Sequence, residues 1–233
     1  LDEITSLLGD NARLAIDSYQ LKTGGNFFDP LEQRFTGENI PHLNQPPDKL
    51  DPTLESIRLT LFDHRVKRIH PHKDDKILTD WNGLMLAALA RGYQILQEPA
   101  WLDAARQSAA FINQHLTTAE GELLHRYRDG EAGINGLIDD YAFLIFGLVE
   151  LYQACFDPVY LDRAITLMDI QIARFWDADN GGFFSTADTA EKLVVRNKAV
   201  YDGATPSGNS MSVNNLIRLS RLTGQQWMGE RRK

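Results

Sequence analysis

Carboxylates that recur at equivalent positions are the first candidates for chemistry in this sequence. Asp80 precedes an apolar run, and Asp139 and Asp140 stand in the same place before a second run. Asp is favoured at the start of a helix because its side chain accepts hydrogen bonds from free backbone N–H groups. Paired carboxylates also suit general acid–base catalysis when burial or mutual repulsion raises the pKa of one of them. Both interpretations stay open, with Asp80 and Asp140 as the catalytic candidates.

Two further segments carry candidate functional side chains. His125 stands 59 residues before Phe184, so a polar residue replaces an aromatic one at an equivalent place, and His125 is the third acid–base candidate. Arg196, Tyr201 and Asp202 could bind an anionic or polyhydroxyl substrate. The alternative for these three is an exposed, charged strand.

Metal and nucleotide sites are not predicted. His70 and His72, with the aspartates that follow them, could bind a divalent cation, but Pro71 favours an extended, salt-bridged loop. The segment 203–210 nearly fits a phosphate-binding loop, but Asn209 replaces the lysine that contacts the phosphates. We therefore expect no cofactor. The single cysteine, Cys155, lies in an apolar run and is expected to be a buried hydrophobic residue.

The charge balance excludes two classes of partner. Against 24 Lys and Arg stand 32 Asp and Glu, which gives a formal net charge of −8. Nucleic acid is an unfavourable partner for such a chain, because neutralising phosphates supplies most of that affinity. Anionic membranes are disfavoured for the same reason, and the apolar run 141–149 is far shorter than the roughly 20 residues that span a bilayer. We expect a cytoplasmic protein.

A 59-residue repeat organises the second part of the chain. The segment 79–85 recurs in character at 138–144, and 101–105 recurs at 160–164. In each repeat, an apolar helix (about 82–96 and 141–156) precedes an amphipathic one (about 101–116 and 160–176). One fully buried and one half-buried helix per repeat is expected of two concentric rings of helices. An open helical solenoid and a four-helix bundle remain alternatives.

Two regions follow from this pattern. Residues 1–69 are predicted to form an N-terminal helical segment with a long, turn-rich or disordered excursion between Thr23 and Pro47. Residues 70–233 are predicted to hold the helical hairpins. A third hairpin begins after Pro206, and the tail 225–233 lacks the partner helix expected next.

Several motifs together resemble a known family. The segments 71–85, 140–142 (Asp-Tyr-Ala), 181–184 (Gly-Gly-Phe-Phe) and 201–210 are similar to those of the YyaL/spermatogenesis-associated protein 20 family. The resemblance implies an all-α fold, part of an (α/α)6 toroid like that of N-acylglucosamine 2-epimerases and six-hairpin glycosidases. Family members also carry a thioredoxin-like domain. No Cys-x-x-Cys is present here, so we expect this chain to be a fragment of a longer protein that holds that domain elsewhere.

The resemblance leads to two hypotheses of function. In the first, the chain is a carbohydrate-active toroid, either an epimerase or isomerase or glycosidase-like, which binds a small carbohydrate. Asp80, Asp140 and His125 would transfer protons, and Trp81, Tyr141 and Tyr201 would stack on sugar faces. In the second, the chain is a non-catalytic binding or scaffold module that works with the thioredoxin-like domain.

Overall fold

The computed structural model describes residues 1–44, 51–191 and 194–225. These belong to two compact units, Leu1–Asp74 and Asp75–Lys233. The first unit contains a short 3-10 helix, Gly9–Asn11, and the elements α1 (Asp2–Leu8), α2 (Ala12–Ser18), β1 (Phe28–Asp29), β2 (Arg34–Phe35) and α3 (Pro52–Arg65).

The predicted excursion of the first unit contains regular structure. Strands β1 and β2 pair antiparallel, with Phe28 opposite Phe35. The Asn26 side chain connects the two ends of the loop, since its Nδ2 donates to the carbonyls of Gln20 and Ile40 at 2.9 and 3.0 Å. The expectation of a disordered loop is therefore wrong for the part up to residue 44. The end of the excursion, at Pro46 and Pro47, lies outside the described residues.

The described part of the second unit contains five helices and a small sheet. In chain order its elements are β3 (Ile77–Leu78), α4 (Thr79–Leu96), α5 (Pro99–His115), β4 (Leu124–Arg128), β5 (Glu131–Asn135), α6 (Ile138–Cys155), α7 (Pro158–Phe175) and α8 (Gly208–Thr223). Helices α4 and α6 begin 59 residues apart, and so do α5 and α7. Pro99 and Pro158 each occupy the first helical turn, where their missing N–H is not needed. The predicted pairs of helices are thus present at the predicted spacing.

Helix α6 lies at the centre of this unit. It packs against α4, α7 and α8, and buried residues lie on all faces of the helix. Helices α5 and α7 bury only one face, through residues such as Ile112 and Leu167. Helices α4, α6 and α8 therefore form an inner layer, and α5 and α7 form an outer one.

Glycine allows α4 and α6 to approach closely. A Cβ atom at Gly83 would lie 2.5 Å from the Phe143 carbonyl carbon, and one at Gly147 would lie 2.5 Å from the Gly83 carbonyl oxygen. Such distances are well inside van der Waals contact. The absence of a side chain at both positions sets the separation of the two inner helices.

A three-stranded antiparallel sheet covers the N-terminal ends of the inner helices. Its order is β3-β4-β5, with Leu78 opposite Arg126 and Arg126 opposite Gly133. No strands were predicted for this region from the sequence. Thr79 fixes β4 to the start of α4, because its hydroxyl donates to the Leu124 carbonyl at 2.6 Å. The described helices include none long and apolar enough to cross a membrane.

Candidate active site

A buried carboxylate and a histidine form the centre of the candidate site. Asp140, in the first turn of α6, has 0% of its surface exposed. His125, on β4, directs Nδ1 toward this carboxylate at 3.0 Å from both oxygens. The backbone N–H groups of Asp80 and Leu137 donate to the same carboxylate at 3.0 and 2.7 Å. Asp140 thus joins the starts of α4 and α6 to the sheet and holds the imidazole in one orientation.

Two further carboxylates lie beside this pair. Asp80, half-buried in the first turn of α4, accepts a hydrogen bond from the Trp81 N–H at 2.7 Å. Asp139 packs against Gly208, where any side chain would overlap its carboxylate. Helix α8 begins there, capped by the Ser207 hydroxyl, which accepts from the Ser210 N–H at 3.1 Å. The N-termini of the three inner helices therefore meet at this cluster of carboxylates.

The proximity of these groups changes their protonation. Burial, and then the nearby charge of Asp140, raise the pKa of the Asp80 carboxyl above its usual range. The pKa of Asp139 is raised by the same two causes in the same order. The hydrogen bond to Asp140 raises the pKa of His125, and the negative charges of Asp140 and Asp80 add to that effect. Shifted pKa values of neighbouring groups are common at sites of acid–base catalysis.

The same atoms satisfy the spacing of a metal site. One ligand atom from each of Asp80, His125 and Asp140 lies within 4.8 Å of the others. The sequence analysis predicted no metal here. A cation at this position would have to replace the hydrogen bonds that both Asp140 oxygens already accept, including the one from His125. The Asp140 oxygens are therefore better suited to hold the His125 ring in place than to bind a cation.

Three of the predicted substrate-binding residues are exposed. Trp81 directly follows Asp80, and 66% of its surface is accessible. Tyr201 is 85% exposed. Asp202 accepts a hydrogen bond from the Ser207 N–H at 2.9 Å, which lowers the pKa of its carboxyl, so it shapes the loop before α8. Of these, Trp81 is the one that follows a catalytic candidate in the chain and keeps an open aromatic face.

Two other assignments do not fit the structure. Tyr141 is only 2% exposed, its ring packs against Phe175, and its hydroxyl accepts the Leu123 N–H at 2.9 Å. Burial raises the pKa of Tyr141 to about 12, so it is a core residue with no face for a sugar. Arg196 donates to the carbonyls of Arg174 and Thr186, and its guanidinium lies 4.2 Å from the Phe184 ring centroid. These contacts make Arg196 a support of its own loop.

An ion cluster of the inner helices was not predicted. Glu150 of α6 accepts hydrogen bonds from Arg91 of α4 and Arg218 of α8 at 2.7 and 2.6 Å. Arg91 and Glu150 stand 59 residues apart, so the repeat places them side by side on neighbouring inner helices. Opposite charges at repeat-equivalent positions were the available signal for the Arg91–Glu150 pair.

Comparisons with known proteins place this arrangement in a wider context. No family model matches the chain. Human spermatogenesis-associated protein 20 is 37% identical over 179 residues, which cover 72% of this chain and 23% of that protein. An uncharacterized protein of Caenorhabditis elegans is 34% identical over 174 residues, covering 71% of this chain and 24% of its own length. The chain thus spans about a quarter of the length of these curated relatives.

Solved structures share the fold. Cellobiose 2-epimerase from Bacillus thermoamylovorans superposes with a TM-score of 0.56 and 15% identity, covering 67% of this chain and 42% of that one. A family 76 α-mannanase from Bacteroides thetaiotaomicron gives a TM-score of 0.52 and 14% identity, covering 93% and 63%. Both have the (α/α)6 toroid fold, and this chain has the fold of a part of such a toroid. The predicted incomplete toroid is therefore confirmed over the open solenoid and the four-helix bundle.

Proposed function

Because this chain belongs to the spermatogenesis-associated protein 20 family and has the α/α-toroid fold of sugar epimerases and glycosidases, we propose that it acts on a carbohydrate by general acid–base catalysis. The proposed reaction is epimerisation or isomerisation, in which a proton leaves the carbon beside a sugar carbonyl and is then returned. The observation that carries the proposal is the hydrogen-bonded pair of Asp140 and His125.

His125 is the proposed proton carrier. Its Nδ1–H donates to Asp140, which leaves the Nε2 lone pair of the neutral ring as the base. Among the described residues Nε2 has no hydrogen-bond partner, and 21% of the side chain is exposed, so a substrate can reach it. Nε2 takes the proton from the carbon, and the bond electrons form an enediolate. If the enediolate turns its other face to Nε2, return of the proton to the same carbon gives the epimer. Return of the proton to the neighbouring carbon gives the isomer.

Asp80 is the proposed acid. Its raised pKa favours the protonated carboxyl, which can donate to the carbonyl oxygen as negative charge develops there. Trp81, beside it in the chain, offers an exposed indole face on which a sugar ring can stack. Asp140 would not touch the substrate, because it is fully buried, and is therefore a positioning residue.

Hydrolysis of a glycosidic bond is less well supported. It usually requires two accessible carboxyl groups, one of which protonates the leaving oxygen while the other attacks the sugar or activates water. Asp140 cannot serve as the second, because it is buried and its oxygens accept several N–H groups. Epimerisation or isomerisation is better supported, because proton transfer at carbon can use His125, which Asp140 holds in place.

Deuterium exchange tests the proposal directly. The protein is incubated in D2O with glucose, mannose, cellobiose or lactose, and loss of the proton at carbon 2 is followed by NMR. We expect exchange and a new epimer or ketose with at least one sugar. His125→Asn removes Nε2 but keeps an N–H for Asp140, and should slow exchange by about 100-fold or more. The matched control, His72→Asn, changes an exposed histidine outside the cluster and should leave the rate unchanged.

Three results would contradict the proposal. Exchange that survives His125→Asn would assign the proton transfer to another group. Loss of exchange in the presence of EDTA would show that a bound cation, and not the free imidazole, activates the substrate. Absence of exchange with all four sugars, together with a protein that co-purifies, would support the non-catalytic scaffold.

A further inference from the structure

A cavity lies on the inner layer, and none of the residues of the catalytic cluster line it. It has a volume of about 460 Å³ and is lined by residues of α4, α6, α8 and the loop before α8, among them Arg91, Phe146, Asn214 and Arg218. The outer helices α5 and α7 contribute nothing to its lining. It therefore opens on the face of the inner helices opposite the outer layer.

The two arginines of this cavity are held by a buried carboxylate. Arg91 Nη2 and Arg218 Nη1 both donate to Glu150 Oε1, whose side chain is only 4% exposed. Arg218 Nη2 also donates to the Gln153 side chain at 2.7 Å. Each guanidinium carbon lies 5.5 Å from the centre of the Phe146 ring. Three helices thus fix both guanidinium groups before any ligand arrives.

The charges of the cluster do not cancel. Two guanidinium groups against one carboxylate leave a net charge of +1, and no carboxylate lines the cavity itself. Each guanidinium has five N–H groups, and a single Glu150 oxygen occupies one from each. Donors therefore remain for a ligand. Arginine pairs of this kind recognise carboxylate and phosphate groups well, because the planar fork matches two oxygens at once.

Helix α6 contributes both to the cavity, through Phe146, and to the catalytic pair, through Asp140. Six residues separate Asp140 from Phe146 on α6, which is about 9 Å at the usual helical rise. If one molecule binds at both places, it has to be a sugar with an anionic group on a second ring or on an arm.

We propose that the Arg91–Glu150–Arg218 cavity binds the anionic group, a carboxylate or a phosphate, of an acidic sugar. This inference deepens the proposed function and rests on it for the nature of the molecule. It predicts that acidic sugars are better substrates than neutral ones, so glucuronate and glucose 6-phosphate are also tested for deuterium exchange. The positive cavity also stands out against the −8 charge of the chain, so it would be a local attraction for an anion.

Calorimetric titration tests the cavity separately from the chemistry. The background protein is the His125→Asn variant, which removes the proposed base and leaves the cavity intact. The probes are glucuronate, glucose 6-phosphate and glucose, at low and high salt. We expect one of the two anionic sugars to bind roughly tenfold or more tightly than glucose, with the advantage reduced at high salt. The preferred anion identifies whether a carboxylate or a phosphate is the natural group.

Three variants assign any binding to the cavity. Arg91→Gln, at a partly exposed position, should weaken the binding of the anionic sugar by roughly tenfold. Arg106→Gln on α5 should leave that affinity unchanged. Glu150→Gln keeps the shape of the side chain but raises the net charge of the cluster to +2, so it should increase the affinity for the anionic sugar. A cluster that serves stability alone predicts no gain from Glu150→Gln.

Equal binding of glucose and both anions, or an unchanged affinity in Arg91→Gln, would overturn the inference. Anion binding without deuterium exchange in the unmodified protein would instead support the cavity and refute the proposed catalysis.

Discussion

At the scale of single residues, Asp140 is both a helix cap and the partner of the proposed base, whereas the sequence left capping and acid–base catalysis as alternatives. It caps the start of α6 by accepting the Leu137 N–H, and it also binds the Asp80 N–H and the His125 imidazole. Capping and the positioning of a base are therefore compatible. A carboxylate has two oxygens and several acceptor positions, so it can bind backbone and side-chain donors at the same time.

The protonation of His125 provides a prediction at this scale. Its pKa is raised by the hydrogen bond to Asp140. We expect an NMR titration of the imidazole to give a midpoint above the usual value of about 6.5. Its contribution to stability should be complete below that value and decline as the pH rises through the higher midpoint of the folded state. Exchange activity should rise over the same interval, since the base is the neutral ring.

Substitution of the partner checks the cause. Asp140→Asn should lower the His125 midpoint, and Asp103→Asn, an exposed aspartate of α5, should leave it unchanged. A midpoint at or below 6.5 in the unmodified protein would contradict the proposed pairing.

The sequence was informative for some of these residues and not for others. The repeat placed Asp80 and Asp140 at equivalent helix starts and drew attention to His125, and the structure brings all three together. The predicted full burial of the helix 141–156 already conflicted with a stacking role for Tyr141, and Tyr141 is buried in the structure. The sequence could not predict the contacts of Arg196, since a charged side chain in a loop can face either the solvent or the backbone of the loop.

At the scale of elements, the contact between α4 and α6 is the feature most sensitive to substitution. We expect Gly83→Ala and Gly147→Ala each to lower the free energy of unfolding by about 1–3 kcal/mol, because the new methyl group would meet backbone atoms of the neighbouring helix. Alanine's higher helix propensity would offset only part of that loss. Denaturant unfolding measures the change.

A matched control for this pair is Gly133→Ala on β5, where the nearest atom to an added Cβ is 3.8 Å away. Its effect should be small. Equal stability of Gly83→Ala and the unmodified protein would mean that the two helices can separate without cost.

The positions of the helices could be predicted from the sequence, whereas the contacts between them could be predicted only in part. The 59-residue offset gave the starts of α4 to α7 to within a few residues, because apolar spacing and proline mark them well. Strand β5 was missed because its residues, Glu131–Asn135, are mostly exposed and lack the alternation of a half-buried strand.

At the scale of the whole molecule, burial is unevenly distributed. Helix α6 is enclosed by its neighbours, whereas α1 of the first unit has no buried residue. We therefore expect native-state hydrogen exchange to be slowest in the amides of α6 and fastest in those of α1. Mass spectrometry of peptides after timed labelling measures both. Exchange from α6 as fast as from α8, which has one open face, would contradict an enclosed central helix.

The parallel arrangement of α4, α6 and α8 has an electrostatic consequence. Each helix carries roughly half a positive charge at its N-terminus, so three adjacent starts supply about one and a half charges at one point. That field lowers the cost of gathering Asp80, Asp139 and Asp140 without any bound cation. The same field would also act on a substrate, because it favours the negative oxygen of an enediolate over the neutral carbonyl from which it forms. The starts of the three inner helices thus supply an electric field that is already in place before the proposed substrate binds.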